Sequence, residues 1–227
     1  MSAEAGGSVV RHKSTPLLIF DLDGTLIDSR LDLAHSVNAT RAQAGHGPLP
    51  HEQIFSFVGN GAPVLIRRAM GPESSEEEIA RALEFFLDYY RHHALDYTML
   101  YPGVPESLHR LYAAGIRLAV LTNKPVRTSR RIMEGLGVAR LFFQIYGGNS
   151  FEHKKPHRIG IDTLCRESGT PAKDTWMVGD SYVDVQTARN AGVASCGVTY
   201  GFQPLTFREF PPDVLVDRLE DFAARFV

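Results

Sequence analysis

The sequence predicts an α/β protein: a Rossmann-like parallel sheet core with helices on both faces, and an inserted α-helical cap domain. Three observations predict it. Short apolar runs alternate with helix-period segments through the second half of the chain, the pattern of a parallel sheet covered on both faces. Residues 30–100 show helical patterns with no strand between them, so they read as an insertion. The first apolar run, Leu17-Leu18-Ile19-Phe20, leads straight into Asp21 and Asp23. A run of this kind suits a strand buried on both faces, and open α/β sheets bind ligands at the carboxyl ends of their strands. The expected division is a loose tail over 1–15, an α/β core over 16–29 and 101–227, and the helical insertion over 30–100.

Taken in order, the first strand ends at Gly24, and helical spacing begins after Asp28-Ser29 with Leu31, Ala34 and Val37. That helix stops around Gly45-His46-Gly47-Pro48. A short helix follows over Pro50 to Phe57, broken by Gly59-Asn60-Gly61. Pro63 sits near the start of a third helix, which runs through Met70 to Gly71-Pro72. Ser75 with Glu78 forms a capping box for a fourth, whose apolar stripe is Ile79, Leu83, Phe86, Leu87 and Tyr90. From Tyr101 onward helix and strand alternate. Strands are expected over Ile116 to Leu121, Phe142 to Tyr146, Trp176 to Val178, Ala194 to Val198 and Val214 to Val216. Helices are expected from Val104, over Thr128 to Leu136, Arg158 to Ser168 and Asp184 to Ala191, and finally over Arg218 to Phe226.

Composition sets the outer limits. The chain has 227 residues, 44% of them hydrophobic and 22% charged, as in soluble globular proteins. A net charge of −2 gives no pull toward nucleic acid or an anionic membrane. Cys165 and Cys196, its two cysteines, have no metal-ligand spacing and read as reduced core residues of a cytoplasmic protein. No apolar run approaches the length of a membrane span.

Four stretches carry chemistry, each just past an expected strand. Asp21 and Asp23 bring two carboxylates together, which repel unless a cation neutralises them or one holds a proton. Hard oxygen donors of this type suit Mg²⁺. At Leu121-Thr122-Asn123-Lys124, the Thr122 hydroxyl and the next backbone N–H can bind a phosphate oxygen. In His153-Lys154-Lys155-Pro156, a lysine can neutralise both a phosphoryl oxygen and a carboxylate. In Gly179-Asp180-Ser181-Tyr182-Val183-Asp184, Asp180 and Asp184 are one helical turn apart and can face the same point.

Asp21-Leu22-Asp23-Gly24-Thr25 resembles the first signature of the haloacid dehalogenase-like hydrolase superfamily, and the other three sites follow in that family's order. The likeness is closest to phosphoglycolate phosphatases, in Thr122 to Pro125, Gly147-Gly148, Lys154 to His157 and Gly197 to Gly201. It implies that Asp21 attacks phosphorus to form an aspartyl phosphate. Asp23 would protonate the leaving alcohol and then activate water. Mg²⁺ would be held by the side chains of Asp21 and Asp180 and the Asp23 backbone carbonyl, with Asp184 in support. Thr122, the Asn123 N–H and Lys155 would bind phosphoryl oxygens; the lysine before the proline, Lys155 and not Lys154, takes the catalytic role. The cap would close over a small phosphorylated metabolite, with 2-phosphoglycolate first, in a monomer or homodimer. Gly59, Asn60 and Arg67, or Arg68 in its place, are the cap residues expected to meet the substrate. Arg158 stands where many members have a second proline, and it is expected to place a cation near the cleft.

Competing readings differ at named residues. Dehalogenases lack the second aspartate. Phosphonate hydrolases need a cap lysine, and residues 30–100 contain none. A sugar-phosphate phosphatase or mutase, or a pyrophosphatase, keeps both aspartates and would differ in the cap. A non-catalytic regulatory module is disfavoured by four intact sites.

Overall fold

The computed structural model describes residues 15–227; the tail expected over 1–15 falls outside them except for Thr15. Its centre is β1 (Leu17–Phe20), which pairs in parallel with β4 (Arg117–Leu121) on one side and β6 (Thr175–Gly179) on the other. All four β1 side chains are fully buried. Alternation along the strand sends Leu18 and Phe20 into one apolar cluster and Leu17 and Ile19 into another. With β5 (Gln144–Tyr146), β7 (Ala194–Val198) and β8 (Val214–Val216), the sheet has six parallel strands in the order β5-β4-β1-β6-β7-β8.

The helices of the core are α5 (Val104–Ala113), α6 (Val126–Gly135), α7 (Ile159–Ser168) and α8 (Tyr182–Ala191), and α9 (Leu219–Ala223) after the last strand. Four more make up the insertion: α1 (Arg30–Gln43), α2 (His51–Phe55), α3 (Ala62–Met70) and α4 (Glu76–His93). Ser75 and Glu78 cap α4 reciprocally: the Glu78 N–H donates to Ser75 Oγ, and the Ser75 N–H donates to the Glu78 carboxylate. Ile79, Phe86 and Tyr90 of α4 are buried, as the expected stripe requires, whereas Leu83 is half-buried and Leu87 is exposed.

One feature departs from the expected all-helical insertion. Met99–Leu100 forms a strand, β3, paired antiparallel with β2 (Ile27–Asp28), so that Ile27 faces Leu100 and Asp28 faces Met99. A boundary after residue 100 cuts through this ribbon; helix ends at His93. Two-residue strands are too short to leave a periodic signal.

Asp32 in α1 ties the returning chain to the insertion. Its buried carboxylate accepts from the Thr98 N–H and the Thr98 hydroxyl in a buried setting, and from the partly buried Tyr97 N–H.

Candidate active site

The carboxyl ends of β4, β1 and β6 lie side by side, so the loops that follow them converge. Beyond β1, Asp21 turns its carboxylate onto the Leu22 N–H and onto Lys155 Nζ at 2.9 Å. Lys155 arrives from the segment between β5 and α7, and its side chain is 2% exposed. Its ammonium also meets Asp184 at 2.7 Å. Burial would strip the charge from Lys155, but Asp184 and Asp21 outweigh that and hold its pKa above the ordinary lysine value.

Asp180 lies just past β6 and Asp184 in the first turn of α8. The N–H and hydroxyl of Ser181 donate to Asp184 Oδ2, which leaves Oδ1 for Lys155. Asp180 accepts from the N–H groups of Phe202 and Gln203. One ligand oxygen from each of Asp21, Asp180 and Asp184 lies within 4.8 Å of the others. Burial pushes the Asp21 carboxyl up to about 6, against the pull of Lys155. Burial, with the neighbouring Asp184 and Asp21 charges, lifts Asp180 well above the carboxylate range. Three carboxylates crowded out of water around a single lysine are short of positive charge. An all-oxygen donor set without Cys or His fits a hard cation, so the residues present suit a metal ion at this point.

The Asp23 side chain is held apart from that cluster. It accepts from the Ser29 hydroxyl and from Lys124 Nζ, at 2.8 and 3.1 Å to its two oxygens. Lys124 also donates to the Tyr90 hydroxyl at 2.7 Å and stands 4.5 Å from the centre of that ring. Burial opposes its charge, but Asp23 and Tyr90 hold the Lys124 pKa above the ordinary value. Burial pushes Tyr90 up to about 12, against the pull of Lys124. Thr122 is buried beside these groups, its hydroxyl accepting from the Lys124 N–H.

Asn123 spends its side-chain amide on two carbonyls, those of Gly59 and Lys155, and so joins the insertion to the segment that carries Lys155. Lys154 donates to the Asn60 carbonyl, and Gln203 donates to the Val58 carbonyl. The 58–60 loop therefore uses three successive carbonyls to sit on the core. The cavity beneath it is walled on the insertion side by apolar groups, among them Leu33, Leu65, Phe86 and Leu87.

Of the expected site residues, Asp21, Asp23, Thr122, Asn123, Asp180 and Gly59 line one cavity, and Lys155 and Asp184 stand directly behind its carboxylates. Asn60 contributes its carbonyl to loop docking. Three cations fall elsewhere. Arg67 lies on the exposed face of α3 and forms a bidentate pair with Glu76, so it does not reach the cavity. Arg68 is likewise exposed, aimed at the Phe57 carbonyl. Arg158 turns along its own helix to Asp162 and puts no cation in the cleft. Lys124 and the Phe202 and Gln203 N–H groups were not anticipated as parts of the site. The signal for Lys124 was its place directly after an apolar strand, beside Thr122. The two N–H groups carry no side-chain signal.

The comparisons with known proteins agree with this geometry. The haloacid dehalogenase-like hydrolase family matches residues 18–198. A phosphoglycolate phosphatase of Agrobacterium fabrum is 41% identical over 213 residues, covering 92% of this chain and 90% of that protein. A phosphoglycolate phosphatase of Vibrio parahaemolyticus is 38% identical over 214 residues, covering 90% and 93%. The crystal structure of a protein described as a predicted phosphoglycolate phosphatase from Haemophilus somnus superposes with a TM-score of 0.89 at 34% identity, covering 94% of this chain and 98% of its own. With the converging loops and the carboxylate cluster, these likenesses place the chain in the haloacid dehalogenase-like hydrolase family, as a phosphoric monoester hydrolase.

Proposed function

We propose that this protein is a Mg²⁺-dependent phosphatase that hydrolyses a small phosphate monoester, 2-phosphoglycolate first, through an aspartyl phosphate on Asp21. The observation that carries the reading is the buried set Asp21, Lys155, Asp184 and Asp180, with Asp23 held separately by Ser29 and Lys124. It provides one carboxylate for attack and another for proton transfer.

Asp21, Asp180 and Asp184 would hold the cation, with the Asp23 backbone carbonyl as a further oxygen donor. When bound, Mg²⁺ supplies positive charge that lets the Asp21 carboxylate and an anionic phosphoryl group approach each other. Thr122, the Asn123 N–H and Lys155 bind the phosphoryl oxygens. An Asp21 oxygen forms a bond to phosphorus as the bond to the ester oxygen breaks, and Asp23 delivers a proton to that departing alkoxide. Asp23, now a carboxylate, takes a proton from water as it attacks phosphorus. The Asp21–phosphoryl bond breaks, and inorganic phosphate leaves. The helical insertion, docked through Val58, Gly59 and Asn60, keeps bulk water from the acyl phosphate.

The relatives named phosphoglycolate phosphatase support a small phosphorylated acid as substrate. The test is phosphate release from a panel holding 2-phosphoglycolate, hexose phosphates and pyrophosphate. The expected result is the highest kcat/KM for 2-phosphoglycolate, abolished by chelation and restored by Mg²⁺. A preference for hexose phosphates or pyrophosphate, or turnover that survives exhaustive chelation, contradicts the reading.

A further inference from the structure

Among the described residues that line the cavity there is one cationic side chain, and it comes from the core: Lys124. The insertion-side wall is apolar, residues 30–100 contain no lysine, and Arg67 and Arg68 are turned to the outside. An anionic leaving group in this cavity therefore has a single positive partner besides the groups that bind the phosphoryl oxygens. We propose that Lys124 binds the carboxylate of the substrate's leaving group and thereby selects phosphorylated 2-hydroxy acids, with Tyr90 fixing its ammonium in place. This rests on the function proposed above.

The distances suit that role. Lys124 Nζ lies 2.8 and 3.1 Å from the oxygens of Asp23, the group assigned to protonate the ester oxygen. In 2-phosphoglycolate, three covalent bonds separate the ester oxygen from a carboxylate oxygen, a span of about 3 Å at ordinary bond lengths. A substrate that offers its ester oxygen to Asp23 thus brings its carboxylate within reach of the ammonium next to it. One more methylene lengthens the path to four bonds, so the carboxylate meets the ammonium only in a folded conformer, at an added cost in conformational freedom.

Tyr90 explains how a flexible side chain becomes a selective one. Lysine is a point charge on a four-carbon stem and discriminates poorly when it is free to swing. Here the stem is buried, one N–H is committed to the Tyr90 hydroxyl at 2.7 Å, and the ring lies 4.5 Å from the charge. Tyr90 belongs to α4 and Lys124 to the loop after β4. The charge therefore takes its position from the insertion and the core together.

The experiment compares 2-phosphoglycolate, ethyl phosphate and 3-phosphooxypropanoate on the wild type, Lys124→Met, Lys124→Arg and Tyr90→Phe, with folding checked by thermal melting. Loss of a charge-assisted contact should lower kcat/KM for 2-phosphoglycolate about 10- to 100-fold more than for ethyl phosphate in Lys124→Met, mostly through KM. Lys124→Arg should recover part of that difference, and Tyr90→Phe should show a smaller loss of the same selectivity. Equal losses on both substrates would mean that Lys124 only positions Asp23, and would overturn the proposal. The wild type alone gives an independent check should Lys124→Met not fold. It should prefer 2-phosphoglycolate to 3-phosphooxypropanoate by at least about tenfold, and equal turnover of the two would also overturn it. A wild type that ignores 2-phosphoglycolate altogether overturns the proposed function itself. A wild type that prefers it, with unselective Lys124 variants, overturns only the role of Lys124.

Discussion

At the residue scale, Gly24 shows how tightly the site is built. Its φ is +80°, which residues with side chains rarely adopt, and a β-carbon there would press against the Asp180 carboxylate. Gly24→Ala is therefore expected to shift Asp180, raise the Mg²⁺ concentration needed for turnover and lower kcat about 10²-fold, the usual consequence of an ångström-scale misplacement. A Mg²⁺ titration of the variant checks this, and wild-type behaviour would contradict it. Asp21 and Asp23 were legible because they follow an apolar run that ends at Gly24, Asp180 because it follows one that ends at Gly179, and Lys155 because it directly precedes Pro156. The crowding that makes Gly24 indispensable was not, because Asp180 is far away in sequence. Lys124 was legible as part of a motif and silent about its role. Its meaning comes from Tyr90 and Asp23, which no local pattern joins to it. Arg67 misled for the converse reason: a basic residue on a short helix has no fixed direction until its partner, Glu76, is known.

At the scale of elements, the β2–β3 ribbon and Asp32 hold the insertion where it leaves and re-enters the core. Removing the Asp32 carboxylate strands the Thr98 N–H and hydroxyl in a buried place and leaves the partly buried Tyr97 N–H without its partner. Asp32→Ala should cost about 2–3 kcal/mol of stability, read by denaturant unfolding, and a loss below about 0.5 kcal/mol would refute the role. Asp28 in β2 pairs with Arg30. Partial burial works against its charge, but the hydrogen bonds from Arg30 prevail and hold its pKa below the ordinary carboxylate value. A depressed folded-state pKa adds stability that is fully present above the unfolded pKa, about 3.9, and is lost as pH falls through the folded one. The Tm gap between wild type and Asp28→Asn should accordingly be present at pH 7 and close below about pH 4. A gap that persists in acid would show that the pair is not its source. The six strands of the sheet were legible as short apolar runs bounded by breakers, and the four inner ones, β1, β4, β6 and β7, are largely buried on both faces. The ribbon was not, since a two-residue ladder is defined by its partner and not by its own sequence.

At the scale of the whole molecule, the site is an agreement between two parts of the chain. The strand order β5-β4-β1-β6-β7-β8 sets three site loops side by side, and no residue in any one strand announces its neighbours. The insertion meets those loops through Asn123, Lys154 and Gln203 on one side of the cavity and through Tyr90 on Lys124 on the other. In the proposed reaction, Asp21 carries the phosphoryl group between the two half-reactions. The most direct measurement is rapid acid quench of the enzyme during turnover of 2-phosphoglycolate, with mass analysis of the peptide that holds Asp21. The account predicts a fraction of that peptide heavier by one phosphoryl group, absent in Asp21→Asn, which should also have lost turnover while remaining folded. A phosphoryl group found on another residue, or undiminished turnover in folded Asp21→Asn, would contradict it.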